Sequence, residues 1–134
     1  MKKDFIPYEQ ALALKGLGFG EPCYGWFDTG YLRFGCYESE HVTGLGDLPA
    51  PLYQQAFRWF REKYRLNSET PYLPNIEKYG IVVSDMTIKP KDLSKNENFK
   101  RGVEITNNFA QYDTHEEAEL ACLKKLIELS TKTA

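Results

Sequence analysis

The fifteen residues Cys23-Tyr-Gly-Trp-Phe-Asp-Thr-Gly-Tyr-Leu-Arg-Phe-Gly-Cys-Tyr37 constrain this chain more than any other stretch. Two short runs of alternating character flank Asp28-Thr29-Gly30, a turn-forming cluster, so the stretch predicts a β-hairpin. Strand side chains alternate between faces, which splits the hairpin into two sets. Cys23, Phe27, Leu32, Phe34 and Cys36 form a core face. Tyr24, Trp26, Tyr31, Arg33 and Tyr37 form an aromatic face with one cation. A two-residue turn at Thr29-Gly30 would set Trp26 opposite Arg33 and Cys23 opposite Cys36. Helices that cover the core face cannot also cover the aromatic one. That face is therefore a ligand or partner surface, or it is covered by other protein.

The rest of the chain alternates helices with hairpins. Helix-forming residues follow Pro7 and stop at Gly16 and Gly18. Glu40 to Pro51 holds two glycines and two prolines and reads as a loop. From about Pro51 to Tyr64, Leu52, Tyr53, Ala56, Phe57, Trp59, Phe60 and Tyr64 share one helical face. Gln54, Gln55, Arg58, Arg61 and Glu62 lie opposite, while Lys63 intrudes on the apolar side and is expected to snorkel outward. Pro71, Pro74 and Asn75 break the chain before a third strand at Lys78–Ser84. A mobile polar loop is expected at about 86–100, and a fourth strand at Arg101–Asn107. The last helix opens on a capping box, Thr114 with Glu117, and carries an apolar stripe through Ala118, Cys122, Leu126 and Leu129 before a frayed end. The predicted fold is a single α+β domain over 1–134. It has an antiparallel sheet of about four strands, with three helices packed mainly on one face, in the order α-β-β-α-β-β-α.

Composition limits function more than it suggests one. With 134 residues, 42% hydrophobic and 27% charged, the chain can bury a core. Its net charge of -2 weighs against general attraction to nucleic acid. Lys2 and Lys3 are followed by Asp4 and Pro7 rather than an apolar run, and no stretch has the length of a membrane span. These features predict no secretory leader, no membrane association and a cytoplasmic setting. The three cysteines are odd in number and lack metal-ligand spacing. They are expected as free thiols, although Cys23 and Cys36 would lie close enough for a disulfide or thiol switch. Cys122 falls on an apolar helix stripe. His41 and His115 have no partner at metal-ligand spacing, so neither a metal nor a cofactor is expected. Gly16-Leu-Gly-Phe-Gly20 follows a helix and lacks the Lys-Ser/Thr of a nucleotide loop, so it reads as a helix stop.

Three segments resemble a family of small proteins without established activity, common in Bacteroides-type gut bacteria, their phages and mobile elements. The first is Phe5-Ile-Pro-Tyr-Glu-Gln-Ala-Leu-Ala-Leu-Lys15 with Leu17-Gly-Phe19 and Glu21-Pro-Cys23. The second is Ala50-Pro-Leu-Tyr-Gln-Gln-Ala-Phe-Arg-Trp-Phe-Arg-Glu-Lys-Tyr64, and the third is Tyr112-x-Thr-x-Glu-Glu-Ala-Glu-Leu-Ala-Cys-Leu-Lys-Lys-Leu-Ile127. The resemblance implies a phage or mobile-element setting and assigns no residue a role.

The sequence thus points to a small non-enzymatic accessory protein. It would bind another protein, or itself, through Tyr24, Trp26, Tyr31, Arg33 and Tyr37. One alternative is a nucleic-acid-binding protein that uses this face together with Arg58 and Arg61 on the second helix; a basic stripe beside exposed aromatics would favour it. The other is a small enzyme whose site assembles only in the fold. A pocket holding Cys or His beside a carboxylate would favour that reading.

Overall fold

The computed structural model describes residues 2–35, 48–87 and 111–133. A 3-10 turn at Lys2–Asp4 leads into helix α1 (Tyr8–Gly16), followed by the hairpin strands β1 (Gly25–Asp28) and β2 (Tyr31–Phe34). Strand β3 (Leu48–Ala50) and helix α2 (Tyr53–Lys63) come next. Strands β4 (Leu66–Glu69), β5 (Tyr72–Leu73), β6 (Lys78–Tyr79) and β7 (Val82–Asp85) precede helix α3 (His115–Thr133). The class is mixed α+β, and the order of elements roughly matches the expected one, with β3 added before α2 and a second hairpin built from other strands.

Local chemistry explains the helix limits. Pro7 caps α1 from an extended conformation, and its carbonyl accepts from Ala11 N at 2.9 Å. The helix ends in a paired C-terminal motif: Phe19 N donates to Leu14 O and Gly18 N to Lys15 O. That motif needs a left-handed residue, and Gly18 supplies it at φ +101°. Lys63 snorkels as expected. Its ammonium lies 5.0 Å from the Trp59 ring and donates to Leu17 O at 2.8 Å, placing a cation at the C-terminal end of α1. On α3, Glu117 N donates to Thr114 Oγ1 at 3.1 Å, the backbone half of the expected capping box.

The strands do not form one four-stranded sheet. β2-β1-β3 is a three-stranded antiparallel sheet, and β3 lies where a loop was expected. The proposed third strand at Lys78–Ser84 is two strands, interrupted at Gly80-Ile81. They are the return arm of a second hairpin; of its outgoing arm, β5 falls within the break expected at Pro71, Pro74 and Asn75, and no element was expected at β4. β4 pairs with β7 and β5 with β6. The register carries unchanged across the interruption, where Gly80 N donates to Pro71 O at 2.9 Å. Pro71 has no N–H to return, so the ladder lapses there without the arms parting. Tyr79 and Tyr112 exchange backbone bonds at 2.8 Å, which ties this hairpin to the start of α3. The strand expected at Arg101–Asn107 and, from residue 88 onward, the polar loop lie outside the described residues.

The core forms where α1, α2 and α3 meet the two hairpins. α2 contributes Tyr53, Ala56, Phe57, Trp59 and Phe60, the arc its periodicity predicted. α3 adds Ala118, Cys122, Leu123 and Leu126, and Phe5, Ile6, Leu14, Phe27 and Val83 close around them.

Cys23 and Cys122 are buried free thiols; Cys36 lies outside the described residues. Burial pushes both thiols up to about 12 from an ordinary 9.0. Alkylation of the native protein at mildly alkaline pH is therefore expected to leave both unmodified, with mass spectrometry showing adducts only after unfolding. The sign of the linkage follows. Unfolded thiols release protons from 9.0 upward while folded ones hold theirs to about 12, so both erode stability as pH rises through that window.

Candidate interaction surface on the first hairpin

Thr29 and Gly30 have φ of 49° and 89°, so both central residues of the turn are left-handed, as a two-residue hairpin of native twist requires. Glycine adopts this freely, whereas β-branched Thr29 does so with strain. The turn fixes the register: Asp28 opposite Tyr31, Phe27 opposite Leu32, Trp26 opposite Arg33 and Gly25 opposite Phe34. The Trp26–Arg33 pairing is the one the sequence predicted.

One face turns inward. Phe27 is buried and meets the Tyr8 ring edge-on at 5.3 Å. Gly25 leaves room for the Phe5 ring, which stacks on Phe34 at 5.2 Å. Phe34, assigned to the core, is nevertheless 40% exposed, because it sits at the end of an edge strand and Phe5 covers only one side of it.

The opposite face remains open. Tyr31 is 70% exposed and Arg33 is exposed, while Tyr24, just before β1, is 46% exposed with its ring 6.4 Å from that of buried Phe5. Trp26 is half-buried, between Arg33 on β2 and Pro49 on β3. Arg33 Nε lies 4.0 Å from Asp28 Oδ2, an exposed pair that solvent screens. Among the described residues β2 pairs only with β1, so it is an edge strand. Tyr37, the fifth member of the predicted set, lies outside the described residues, as does His41.

Arg58 and Arg61 are exposed on α2, away from the hairpin strands in sequence. Arg58 Nη2 lies 3.9 Å from Glu21 Oε1, and Gln55 donates to Pro22 O at 2.9 Å. These contacts fasten α2 to the segment leading into β1. Arg61 lines a hollow that also contains Glu69. Carboxylates thus accompany all three predicted arginines, which breaks up a basic stripe. Among the described residues, no group of three or more His, Cys, Asp or Glu is placed to hold a metal, and no helix is long and apolar enough to cross a membrane.

A second cluster escaped the sequence reading. His115, the first residue of α3, has Nε2 2.9 Å from Thr70 Oγ1 and Nδ1 3.6 Å from Glu119 Oε1, and its ring lies 5.4 Å from that of Tyr79. Glu119 has only 12% of its side chain exposed, and burial raises its carboxyl against the opposing pull of His115. Burial, and then Glu119, push the nearby Tyr53 phenol up to about 12. The i,i+4 spacing of His115 and Glu119 was visible as a helical pair. Thr70, 45 residues earlier, had no such signal.

The fold and surface together define an α+β domain that presents an aromatic edge hairpin. Comparison with protein-family models, curated proteins and solved structures finds no match to this chain.

Proposed function

We propose that this is a small accessory protein that binds another protein, or a second copy of itself, through the β1–β2 hairpin. The observation that carries this reading is the edge strand β2, where Tyr31, Arg33 and Phe34 are all exposed. Large apolar groups grouped on a free edge favour association, because a partner buries rings and satisfies outward backbone groups together. A groove of about 430 Å³ runs beside Leu32, floored by Phe5, Ile6 and Phe27. A strand added to β2 would drop alternate side chains toward this groove and the others beside Tyr31 and Arg33. Binding of this kind requires no chemistry from the surface itself. Single-stranded nucleic acid fits less well, since the net charge is -2 and Arg33 faces Asp28. A phage or mobile-element setting rests on the resemblance of the three sequence segments alone.

The test compares wild type with a Tyr24→Ser, Tyr31→Ser double variant, with circular dichroism checking that the fold survives loss of the Tyr24 contact to Phe5. Light scattering across a concentration series reads self-association, and display of extended peptides reads capture of a partner strand. Loss of either in the double variant is the expected result. A monomer that ignores peptides but binds oligonucleotides, with affinity falling steeply in salt and lost in the variant, would replace this reading with the nucleic-acid one.

A further inference from the structure

We propose that Thr70, His115 and Glu119 form a hydroxyl–imidazole–carboxylate relay that takes the acyl group of a short-chain ester onto Thr70 Oγ1. This activity goes beyond the hairpin's binding role and uses none of its residues. The fold brings together groups from two distant parts of the chain: Thr70, just after β4, and His115 and Glu119, one turn apart on α3. Glu119 beside Nδ1 favours the tautomer with its proton there, leaving the Nε2 lone pair to accept the Thr70 hydroxyl at 2.9 Å. The 3.6 Å separation at Nδ1 exceeds a hydrogen bond, as unliganded relays often do before a substrate tightens them.

The surroundings suit acyl transfer. Thr70 opens onto a hollow of about 120 Å³ that Gln54, Phe57, Arg61, Ser68 and Glu69 also line. Phe57 offers an apolar wall for a short acyl chain, and the Gln54 amide is a donor for a carbonyl oxygen that gains charge, with the Arg61 guanidinium adding a positive charge that Glu69 partly offsets. His115, Glu119 and Gln54 line a second crevice, of about 390 Å³, through which alcohol can leave and water enter. In the first step Thr70 Oγ1 bonds to the acyl carbon while its proton passes to His115 Nε2. The ester C–O bond then breaks, and His115 returns the proton to the departing alkoxide. In the second step water attacks the acyl-threonine and gives its proton to His115. The Thr70–acyl bond breaks, the proton returns to Thr70, and a carboxylic acid leaves. Thr70 and His115 are the catalytic residues, and Glu119 is a positioning residue.

The probe is p-nitrophenyl acetate, with acetylation sites mapped by mass spectrometry on the folded full chain. A single dominant adduct at Thr70 is expected in samples quenched with acid before the second step. It should be lost in Thr70→Val, retained in Thr70→Ser, and formed about 10²-fold or more slowly in His115→Gln. Glu119→Gln should slow acetylation while the half-saturating ester concentration stays as in wild type, a separation that general loosening of the fold would not produce. Acetyl groups spread over lysines with Thr70 unmodified, or labelling of Thr70 at an equal rate in His115→Gln, would overturn the proposal. Mapping on wild type alone decides the first of these, even where a variant fails to fold.

Discussion

Phe60→Ala is expected to lower the unfolding free energy by about 3–5 kcal/mol, the range for removing a large ring from a packed interior. Phe60 is 0% exposed and lies centrally on the buried arc of α2, with the Trp59 ring 5.1 Å away and the Tyr64 ring 5.9 Å away. Deleting it leaves a cavity that a helix packed against both α3 and β4 cannot close. Arg58→Ala, two residues away on the exposed face, removes only a solvent-screened pair with Glu21 and is expected to change stability by about 0–1 kcal/mol. Urea denaturation of both variants measures the contrast. Equal losses would mean that the faces of α2 are assigned wrongly.

Gly25→Ala should destabilise through the opposite fault, too much volume. A methyl at position 25 would stand 2.6 Å from Phe5 Cε1, 3.0 Å from Phe5 Cδ1 and 3.2 Å from the Arg33 carbonyl oxygen. Replacing a strand glycine ordinarily gains about 0.5–1 kcal/mol of backbone entropy. Overpacking works against that gain by about 1–3 kcal/mol. The steric term should win, because Phe5 is buried and stacked on Phe34, and the Arg33 carbonyl belongs to the paired strand. A double-mutant cycle with Phe5→Leu checks the cause. The smaller side chain should make room for the methyl, so the two changes should be markedly less than additive. Strict additivity would show that Phe5 is not what excludes a side chain at Gly25.

Several features that support these expectations were legible before any coordinates. The α2 arc was visible because aromatic residues recur at helical spacing and a helix presents one side to the core. The β1–β2 register followed from the turn, since two left-handed residues at Thr29 and Gly30 fix which residues face each other. Thr114 and Glu117 marked the start of α3 through their spacing alone. Each is a local rule, satisfied by residues a few positions apart.

What escaped depended on distant partners. β5 looked like a break because prolines at 71 and 74 argue against a strand, yet an arm paired on one side tolerates a missing donor, and β4 carries no alternation strong enough to mark it before β7 pairs with it. β3 is three residues long and is a strand only because β1 offers it an edge. The exposure of Tyr24 and Tyr31 was undetermined, since alternation says which face a residue takes and not whether anything covers that face. Thr70 and His115 were unremarkable in the sequence, and they meet only because the second hairpin carries one against the helix start that holds the other. The sequence alone determined the helices, the first hairpin and its register, through periodicity and turn chemistry. The tertiary structure decided which strands pair, which aromatic face stays open and which polar groups converge, because those outcomes depend on contacts between segments far apart in the chain.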